Sequence, residues 1–279
     1  MTSLEGHREF YARLITAGLP NSPRLVMAFA AVPRERFVGP GPWQILTASG
    51  PLETPTSDPA FLYQDVLVAL APERRINNGQ PSLHALCLSA LDVKPGERVL
   101  HIGAGTGYYT AVLNELVGPQ GEVIAYEIEE DLARLAAENL SDKANVRVLH
   151  RSGAEAPLPD ADIVYVNAGA TGPPQIWLDA LRLGGRLLFP LTGGRKGVND
   201  VGGMLLVARG EKGYPAKFVS GVSFIQCIGA SDEREMERVW HAFQRGDARS
   251  VESLRRATAP DKSCWLAGEG WWLSRDAAE

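Results

Sequence analysis

The chain has few cysteines, no long apolar run and no strongly basic segment. Its three cysteines, Cys87, Cys227 and Cys264, lie far apart and lack the spacing of metal ligands. Neither a disulfide framework nor a zinc site is therefore indicated. No apolar run approaches the roughly 20 residues that a membrane helix needs, and the first residues lack the basic and apolar regions of a signal peptide. We therefore expect a cytoplasmic protein that holds no metal and contacts no membrane.

The charge pattern excludes another class of partner. The formal net charge is −5, and no basic cluster is longer than Arg74-Arg75 or Arg255-Arg256. Nucleic acid is not an expected partner, because proteins that bind it concentrate Lys and Arg in patches. Apolar residues make up 45% of the chain and charged residues 22%, which indicates a globular protein with a full core.

Strand and helix periods alternate through the middle of the chain. Strands are predicted over 99–102, 122–126, 146–149, 162–166 and 186–191, and helices over 108–117, 130–140 and 174–183. This alternation predicts an α/β fold with a Rossmann-like, mostly parallel seven-stranded sheet and helices on both faces. The runs 203–209 and 217–225 are separated only by a turn, which predicts an antiparallel pair at the sheet edge.

The two ends of the chain depart from this alternation. Phe10, Leu14 and Ala17 recur at helical spacing, whereas residues 39–59 are rich in glycine and proline and predict an irregular connection. Further helices are predicted over 22–32, 233–244 and 251–257. We therefore predict an N-terminal helical subdomain that covers the substrate (1–92), a cofactor-binding domain (93–229) and a C-terminal helical extension (230–279).

A glycine-rich turn is the most informative motif. A short apolar run enters Gly103, Gly105 and Gly107, and Glu127 ends the next apolar run. Glycines let the backbone approach a ligand closely, and a carboxylate at that place accepts hydrogen bonds from ribose hydroxyls, so the motif predicts a nucleoside site. The Gly-x-Gly-x-Gly spacing disfavours a dinucleotide, and because Gly-Lys-Ser/Thr does not precede the helix, a phosphate-binding P-loop is excluded. A nicotinamide oxidoreductase stays a weak alternative.

The turn and Glu127 resemble the first two motifs of class I S-adenosylmethionine-dependent methyltransferases. Their surroundings resemble one branch, the protein-L-isoaspartate O-methyltransferase family. Four stretches carry this likeness: Val32–Val38, Tyr63–Asp65 with Gly79–Pro81, Leu181–Pro190, and Val222–Phe224. The resemblance covers roughly residues 20 to 228 and implies that S-adenosylmethionine is the cofactor and that a carboxylate of a protein or peptide is the methyl acceptor.

The resemblance also implies the cofactor-binding residues. They are His101, Gly103, Ala104, Gly105, Thr106, Gly107, Tyr108, Glu127, Ile128, Ser152, Gly153 and Asn167. His101 stands where the family usually has a carboxylate close to the cofactor's amino group, and Ser152 where an aspartate usually faces the adenine. A neutral His101 can still accept a hydrogen bond from the ammonium group, and Ser152 can still donate or accept one.

The acceptor side departs further from the family. Asn77-Asn78-Gly79 replaces the usual Thr-Ile-Ser, so the serine hydroxyl that the resemblance assigns to the acceptor carboxylate is missing. We predict Asn78, Gly79 and Gln80 as catalytic residues, and Asn77, Ser82 and His84 as substrate-binding residues. Amide groups and the N-terminus of a helix that starts near residue 81 suit a carboxylate. No general base is required, since an ionised carboxylate is already a nucleophile.

Two alternatives stay open. The missing Thr-Ile-Ser and the added C-terminal segment favour a methyltransferase for a small molecule or a particular peptide natural product. His101 and Ser152 favour a homologue that binds the cofactor without turnover.

Overall fold

The computed structural model describes residues 3–155, 157–195 and 198–278. The helices are α1 (Ser3–Ile15), α2 (Ser22–Ala31), α3 (Pro81–Leu91), α4 (Tyr108–Val117), α5 (Glu130–Asn139), α6 (Gln175–Asp179) and α7 (Glu233–Gln244). The strands are β1 (Gln44–Thr47), β2 (Gly50–Glu53), β3 (Leu67–Ala71), β4 (Ile76–Asn77), β5 (Arg98–Ile102), β6 (Glu122–Glu127), β7 (Val146–His150), β8 (Ala161–Val166), β9 (Leu181–Arg195), β10 (Val198–Ala208), β11 (Tyr214–Val222), β12 (Ser253–Arg256), β13 (Cys264–Gly268) and β14 (Trp271–Ser274). Short 3₁₀ turns lie at Arg34–Phe37, Pro59–Leu62, Pro72–Arg74 and Ala248–Ser250.

The chain divides into two compact units. Unit one combines Met1–Glu97 with Ala104–Arg151, and unit two combines Arg98–Gly103 with Ser152–Glu279. The glycine-rich turn contributes to both units, because Gly103 belongs to unit two and the residues after it to unit one. The domain boundaries expected from the sequence stay a prediction.

Unit one contains the N-terminal helices, a small sheet and one parallel strand pair. Helices α1 and α2 pack against each other and against α3, and α2 also packs on α4. The small sheet has the order β2-β1-β3-β4 and is antiparallel. A small apolar core, made of Val38, Trp43, Leu62 and Val68, is buried beside it. Strands β6 and β7 are parallel, with Glu127 opposite His150.

The irregular connection predicted over residues 39–59 is wrong in part. Strands β1 and β2 form a hairpin there, and Ile45 of β1 also pairs with Val68 of β3. A run of four residues is too short to show an alternating apolar period, and its partner β3 lies more than twenty positions away. The N-terminal subdomain is therefore helical only in part.

Unit two contains an extended sheet. Its strand order is β13-β14-β12-β11-β10-β9-β8-β5. Strands β5, β8 and β9 are parallel, with His101 opposite Tyr165, and the strands from β9 to β14 pair antiparallel. The α/β class, the parallel strands and the antiparallel β10–β11 pair are confirmed. The edge position expected for that pair is wrong, because β12 pairs with the start of β11 at Tyr214 and Pro215.

The C-terminal extension was predicted to be helical, and this is correct only for α7. Residues expected to form a helix over 251–257 form β12 instead, with Leu254 opposite both Tyr214 and Leu273. Two neighbouring strands supply the backbone partners of β12 and bury Leu254, so packing overrides local helix propensity. The indole side chains of Trp265, Trp271 and Trp272 are buried in this extension, whereas that of Trp240 is half-buried.

Two further features concern possible ligands. Among the described residues, no helix combines the length and apolar character needed to cross a bilayer. The same part of the chain contains no group of three or more His, Cys, Asp or Glu side chains that could hold a metal ion.

Candidate functional site

The glycine-rich turn connects to α4 through backbone that favours glycine. Gly105 and Gly107 have φ values of +57° and +96°, in the left-handed region that other residues adopt with strain. A Cβ on Gly107 would lie 2.8 Å from Cδ1 of Leu140, the residue that directly follows α5, so a side chain at position 107 would clash there. Hydrogen bonds to residues outside the turn also stabilise it. The Thr106 hydroxyl donates to the Phe37 carbonyl, and the Asn139 side-chain amide donates to the Thr106 carbonyl.

Glu127 supports this turn directly. Its side chain is only 6% exposed. Oε2 accepts a hydrogen bond from the Gly105 amide at 2.6 Å, and Oε1 accepts from the Ile128 and Glu129 amides at 2.9 and 3.0 Å. Burial raises the pKa of Glu127, and these backbone donors partly offset the effect. An ionised carboxylate accepts about four hydrogen bonds, so Oε2 retains one acceptor position for a ligand.

Two residues predicted to bind the cofactor in unit one have different surroundings. Ile128 follows Glu127 and is 38% exposed, so part of its apolar side chain is open to a ligand. Tyr108 is buried, and its hydroxyl lies 3.3 Å from the hydroxyl of Tyr11. The Tyr108 side chain therefore packs with the N-terminal helices.

In unit two, the ends of β5 and β8 bring two predicted residues together. The Asn167 side-chain amide nitrogen lies 2.7 Å from Nε2 of His101. His101 is fully buried, and burial lowers its pKa to about 3. The imidazole is therefore neutral at physiological pH.

Ser152 and Gly153 lie at a turn that starts unit two's second segment. The Ser152 hydroxyl accepts from the Ala154 amide at 3.1 Å, and the Gly153 carbonyl accepts from the Trp177 indole at 2.8 Å. Ser152 is buried, so its hydroxyl shapes the turn. Its predicted contact with adenine stays a prediction.

The start of α3 already holds a carboxylate, and sequence reasoning missed it. Asp65 accepts from the Ser82 amide at 2.8 Å, from the Ser82 hydroxyl at 2.6 Å and from the Gln80 side chain at 3.1 Å. The first turn of a helix favours a negative charge, and Asp65 occupies this position. Gln80 and Ser82 therefore bind Asp65 in this structure and do not face an open anion site.

A buried arginine fixes the segment that carries Asp65. The Arg34 guanidinium, fully buried, donates to the carbonyls of Leu62, Gln64 and Val66. Five guanidinium N–H groups in a rigid fork suit such a cluster of carbonyls. The stretch Val32–Val38, which carried part of the family resemblance, thus positions the acceptor-side segment.

We expect Asp65→Ala to lower the free energy of unfolding by about 1–2 kcal/mol, the usual cost of losing a helix cap. The Ser82 amide would lose its acceptor while the rest of α3 stays packed. Urea denaturation of this variant and of Gln64→Ala, which removes an exposed neighbouring side chain, measures the effect. Equal stability of the two variants would contradict the role given to Asp65.

The remaining acceptor-side residues surround Gly79. The Asn77 side chain accepts from the Gly79 amide, and the Asn78 side chain accepts from the Val68 amide. The Asn78 amide nitrogen is buried and has no hydrogen-bond partner among the described residues. This nitrogen is therefore an unsatisfied hydrogen-bond donor at the turn.

His84 lies against Gly79. A Cβ on Gly79 would be 2.2 Å from Nε2 of His84, so the imidazole fills the volume of a side chain at position 79. The His84 ring stacks on Tyr109 with centroids 3.6 Å apart, and the Tyr109 hydroxyl donates to the Gly79 carbonyl. Tyr109 was also missed by sequence reasoning, because nothing in its local pattern indicates a contact thirty positions away.

Comparison with solved structures shows the fold of the chain. The chain has a TM-score of 0.64 and 20% identity to a protein-L-isoaspartate O-methyltransferase, over 93% of this chain and 74% of that chain. It has a TM-score of 0.62 and 20% identity to a Plasmodium falciparum protein described as a protein-L-isoaspartate O-methyltransferase in complex with S-adenosyl-L-homocysteine, over 80% of this chain and 98% of that chain. These likenesses show the fold of S-adenosylmethionine-dependent methyltransferases.

Sequence comparison identifies the family. The family model of protein-L-isoaspartate(D-aspartate) O-methyltransferase matches residues 5–202, and the chain belongs to this family. It is 31% identical to the Methanopyrus kandleri protein-L-isoaspartate O-methyltransferase, over 81% of this chain and 92% of that protein. It is 30% identical to the Thermotoga maritima protein-L-isoaspartate O-methyltransferase over 61% of this chain, and the match spans about half, 51%, of that protein. The resemblance stated above is confirmed.

The chain is therefore an S-adenosylmethionine-dependent methyltransferase, and its residues fit this cofactor. In unit one, Glu127 keeps an acceptor position beside glycine backbone, and Ile128 presents an apolar surface. In unit two, the buried side-chain oxygen of Asn167 has no hydrogen-bond partner among the described residues. The individual cofactor contacts stay predictions.

Proposed function

We propose that this chain transfers a methyl group to a free carboxylate of a protein or peptide, with isoaspartyl residues as the acceptor class. The observation that supports this most is the family match over residues 5–202, which includes both the glycine-rich turn and the acceptor-side segment. A cytoplasmic location stays a prediction from the sequence.

The reaction requires alignment more than proton transfer. When bound, S-adenosylmethionine supplies a methyl group on a sulfonium; its carbon–sulfur bond breaks as the carbon–oxygen bond forms, and S-adenosylhomocysteine and a methyl ester result. The acceptor carboxylate is already ionised near neutral pH, so the chain has to hold it in line. Such positioning can lower a barrier by about 7–11 kcal/mol.

Asn78 is the acceptor-side residue that the geometry favours. Its side-chain oxygen is fixed by the Val68 amide, and its buried side-chain nitrogen has no partner. A buried donor without a partner costs about 1–3 kcal/mol, and an acceptor carboxylate would satisfy it. Gly79 and Gln80 complete the backbone of the same turn, whose shape Asn77 and Asp65 hold.

One alternative acceptor has a specific observation in its favour. The family's serine is absent at Gly79, and His84 fills the space of its side chain. Without the hydroxyl that the resemblance assigns to the isoaspartyl carboxylate, the acceptor specificity of this chain can differ from that of the family. A small molecule or a particular peptide natural product is therefore the second candidate.

A pair of peptides tests the proposal. The full chain is incubated with S-adenosylmethionine and a peptide that contains one isoaspartyl residue, or with the same peptide containing an ordinary aspartyl residue. We expect a methyl ester, detected by mass spectrometry and by methanol release in base, on the isoaspartyl peptide only. If S-adenosylhomocysteine binds but neither peptide is esterified, the acceptor assignment is wrong and the second candidate is favoured.

A further inference from the structure

An uncharged polar pair, His101 and Asn167, lies at the ends of β5 and β8. The family resemblance implies a carboxylate at position 101. His101 is the fourth residue of β5, and Asn167 directly follows β8. The Asn167 backbone amide donates to the Ile102 carbonyl at 2.8 Å, so residue 167 is fixed beside the end of β5. A Cβ on Gly103 would lie 3.4 Å from the Asn167 carbonyl group, so the pair adjoins the first glycine of the turn.

The hydrogen-bond direction within the pair follows from the chemistry of an amide. The Asn167 side-chain nitrogen is only a donor, and it lies 2.7 Å from Nε2 of His101. Nε2 therefore accepts, and the imidazole proton is on Nδ1. The ring is held in place by stacking on Tyr165, with centroids 5.6 Å apart and planes 12° apart.

The hydrogen bond to His101 leaves the side-chain oxygen of Asn167 as an unused acceptor. With its nitrogen turned to His101, Asn167 has its side-chain oxygen on the other side of the amide, where it is buried and has no partner among the described residues. A buried carbonyl oxygen without a donor is rare and costly. A positively charged N–H donor would satisfy it best, because hydrogen bonds to charged groups are the stronger ones.

We propose that the Asn167 side-chain oxygen accepts a hydrogen bond from the ammonium group of the cofactor's amino-acid part, and that His101 is a positioning residue that orients the amide. The family's carboxylate at position 101 is thereby replaced by an uncharged acceptor supplied from the neighbouring strand. This inference rests on the cofactor assignment and is independent of which acceptor is methylated.

Three ligands and two variants test the proposal by calorimetry, without any methyl transfer. The ligands are S-adenosylhomocysteine, its analogue that lacks the amino group, and its analogue that lacks the carboxyl group. We expect Asn167→Ala to weaken the first and third ligands roughly tenfold to hundredfold, as for a lost hydrogen bond to a charged group. Its affinity for the analogue without the amino group should stay within about threefold of the native chain.

The second variant examines His101 through the same readout. His101→Phe keeps a ring that can stack on Tyr165 but removes the acceptor that orients Asn167. We expect it to show the same ligand-dependent pattern, whereas a merely structural role would weaken all three ligands equally. Gln244→Ala, which removes an exposed amide at the end of α7, is the matched control and should bind all three ligands like the native chain.

Other outcomes overturn the proposal. A loss that follows the carboxyl group would mean that the Asn167 amide donates to the cofactor. An equal loss for every ligand would mean that residue 167 only maintains the fold. Absence of S-adenosylhomocysteine binding by the native chain would remove the cofactor assignment itself. Failure to esterify the isoaspartyl peptide, with these affinities as expected, would concern only the proposed acceptor.

Discussion

Replacing Glu127 with alanine is expected to weaken S-adenosylhomocysteine binding by roughly a hundredfold or more. The carboxylate accepts from three backbone amides, those of Gly105, Ile128 and Glu129. Each buried donor left without an acceptor costs about 1–3 kcal/mol. Part of this cost falls on the unbound protein, so its melting temperature should decrease as well. The remainder falls on binding, because both the shape of the turn and the acceptor predicted for the ribose hydroxyls are lost.

Glu127→Gln removes the negative charge of this side chain but keeps its size, so it separates the effect of charge on binding from the effect of shape. A glutamine has one acceptor oxygen where glutamate has two, so its NH₂ group must face a backbone donor at Gly105 or at Ile128 and Glu129. We expect an effect between those of the native chain and Glu127→Ala. Glu130→Ala, at an exposed position in the first turn of α5, is the control and should bind like the native chain.

The pH dependence of binding provides a second readout for the same residue. Burial raises the pKa of Glu127, so the carboxylate takes up a proton at a higher pH than an ordinary glutamate. The protonated form loses acceptor capacity toward the turn and toward the ribose that Glu127 is predicted to bind. Affinity for S-adenosylhomocysteine should therefore decrease on acidification in the native chain and depend less on pH in Glu127→Gln. Native-like affinity of Glu127→Ala would contradict the role given to this carboxylate.

The glycine-rich turn could be predicted from sequence because its determinants are local. Positive φ values at Gly105 and Gly107 and a carboxylate at the end of the next strand all follow from a short pattern and one spacing. Asp65 could not be predicted, since it caps α3 from a loop fifteen to seventeen positions away. The pairing of His101 with Asn167 could not be predicted either, because it depends on the parallel register of β5 and β8. Each of the two residues was predicted separately to bind the cofactor.

The helices show the same division between local and distant information. The sequence pattern predicts a helix at the N-terminus from Phe10 and Leu14, and α1 is present, but these two side chains are exposed while Tyr11 and Ile15 are buried. Adjacent residues point to different sides of a helix, and only the position of α2 and α3 decides which side is covered. The strands after α7 were missed for the same reason, because burial of Leu254 and Trp272 between neighbours decides their conformation.

Gly79→Ser, which restores the residue type that the family resemblance places here, is expected to destabilise this chain by about 2–5 kcal/mol. The new Cβ would lie 2.2 Å from Nε2 of His84, at a residue whose φ is +74°. The His84 ring cannot move away freely, because it is buried and stacked on Tyr109. Overpacking a core costs about 1–3 kcal/mol, and left-handed backbone adds about 1–2 kcal/mol for a residue other than glycine.

Removing the imidazole of His84 should restore part of the stability that Gly79→Ser loses. In the double variant Gly79→Ser/His84→Ala, the serine side chain occupies space that the ring has left. The two substitutions are therefore expected to cost less together than the sum of their separate costs, by about 0.5–3 kcal/mol. A double-mutant cycle measured by urea denaturation gives this coupling directly, and strictly additive costs would show that the ring and the side chain at position 79 do not compete for one volume.

The same variants connect packing with acceptor choice. If position 79 contacts the acceptor carboxylate, Gly79→Ser/His84→Ala should esterify the isoaspartyl peptide with a higher kcat/KM than His84→Ala. Gly79→Ala/His84→Ala carries the same Cβ without the hydroxyl, so it should share the stability of the serine variant but not the gain in activity. An equal gain in both would assign the effect to the shape of the turn. A gain confined to serine would show that Gly79 and His84 together set which carboxylate this methyltransferase accepts.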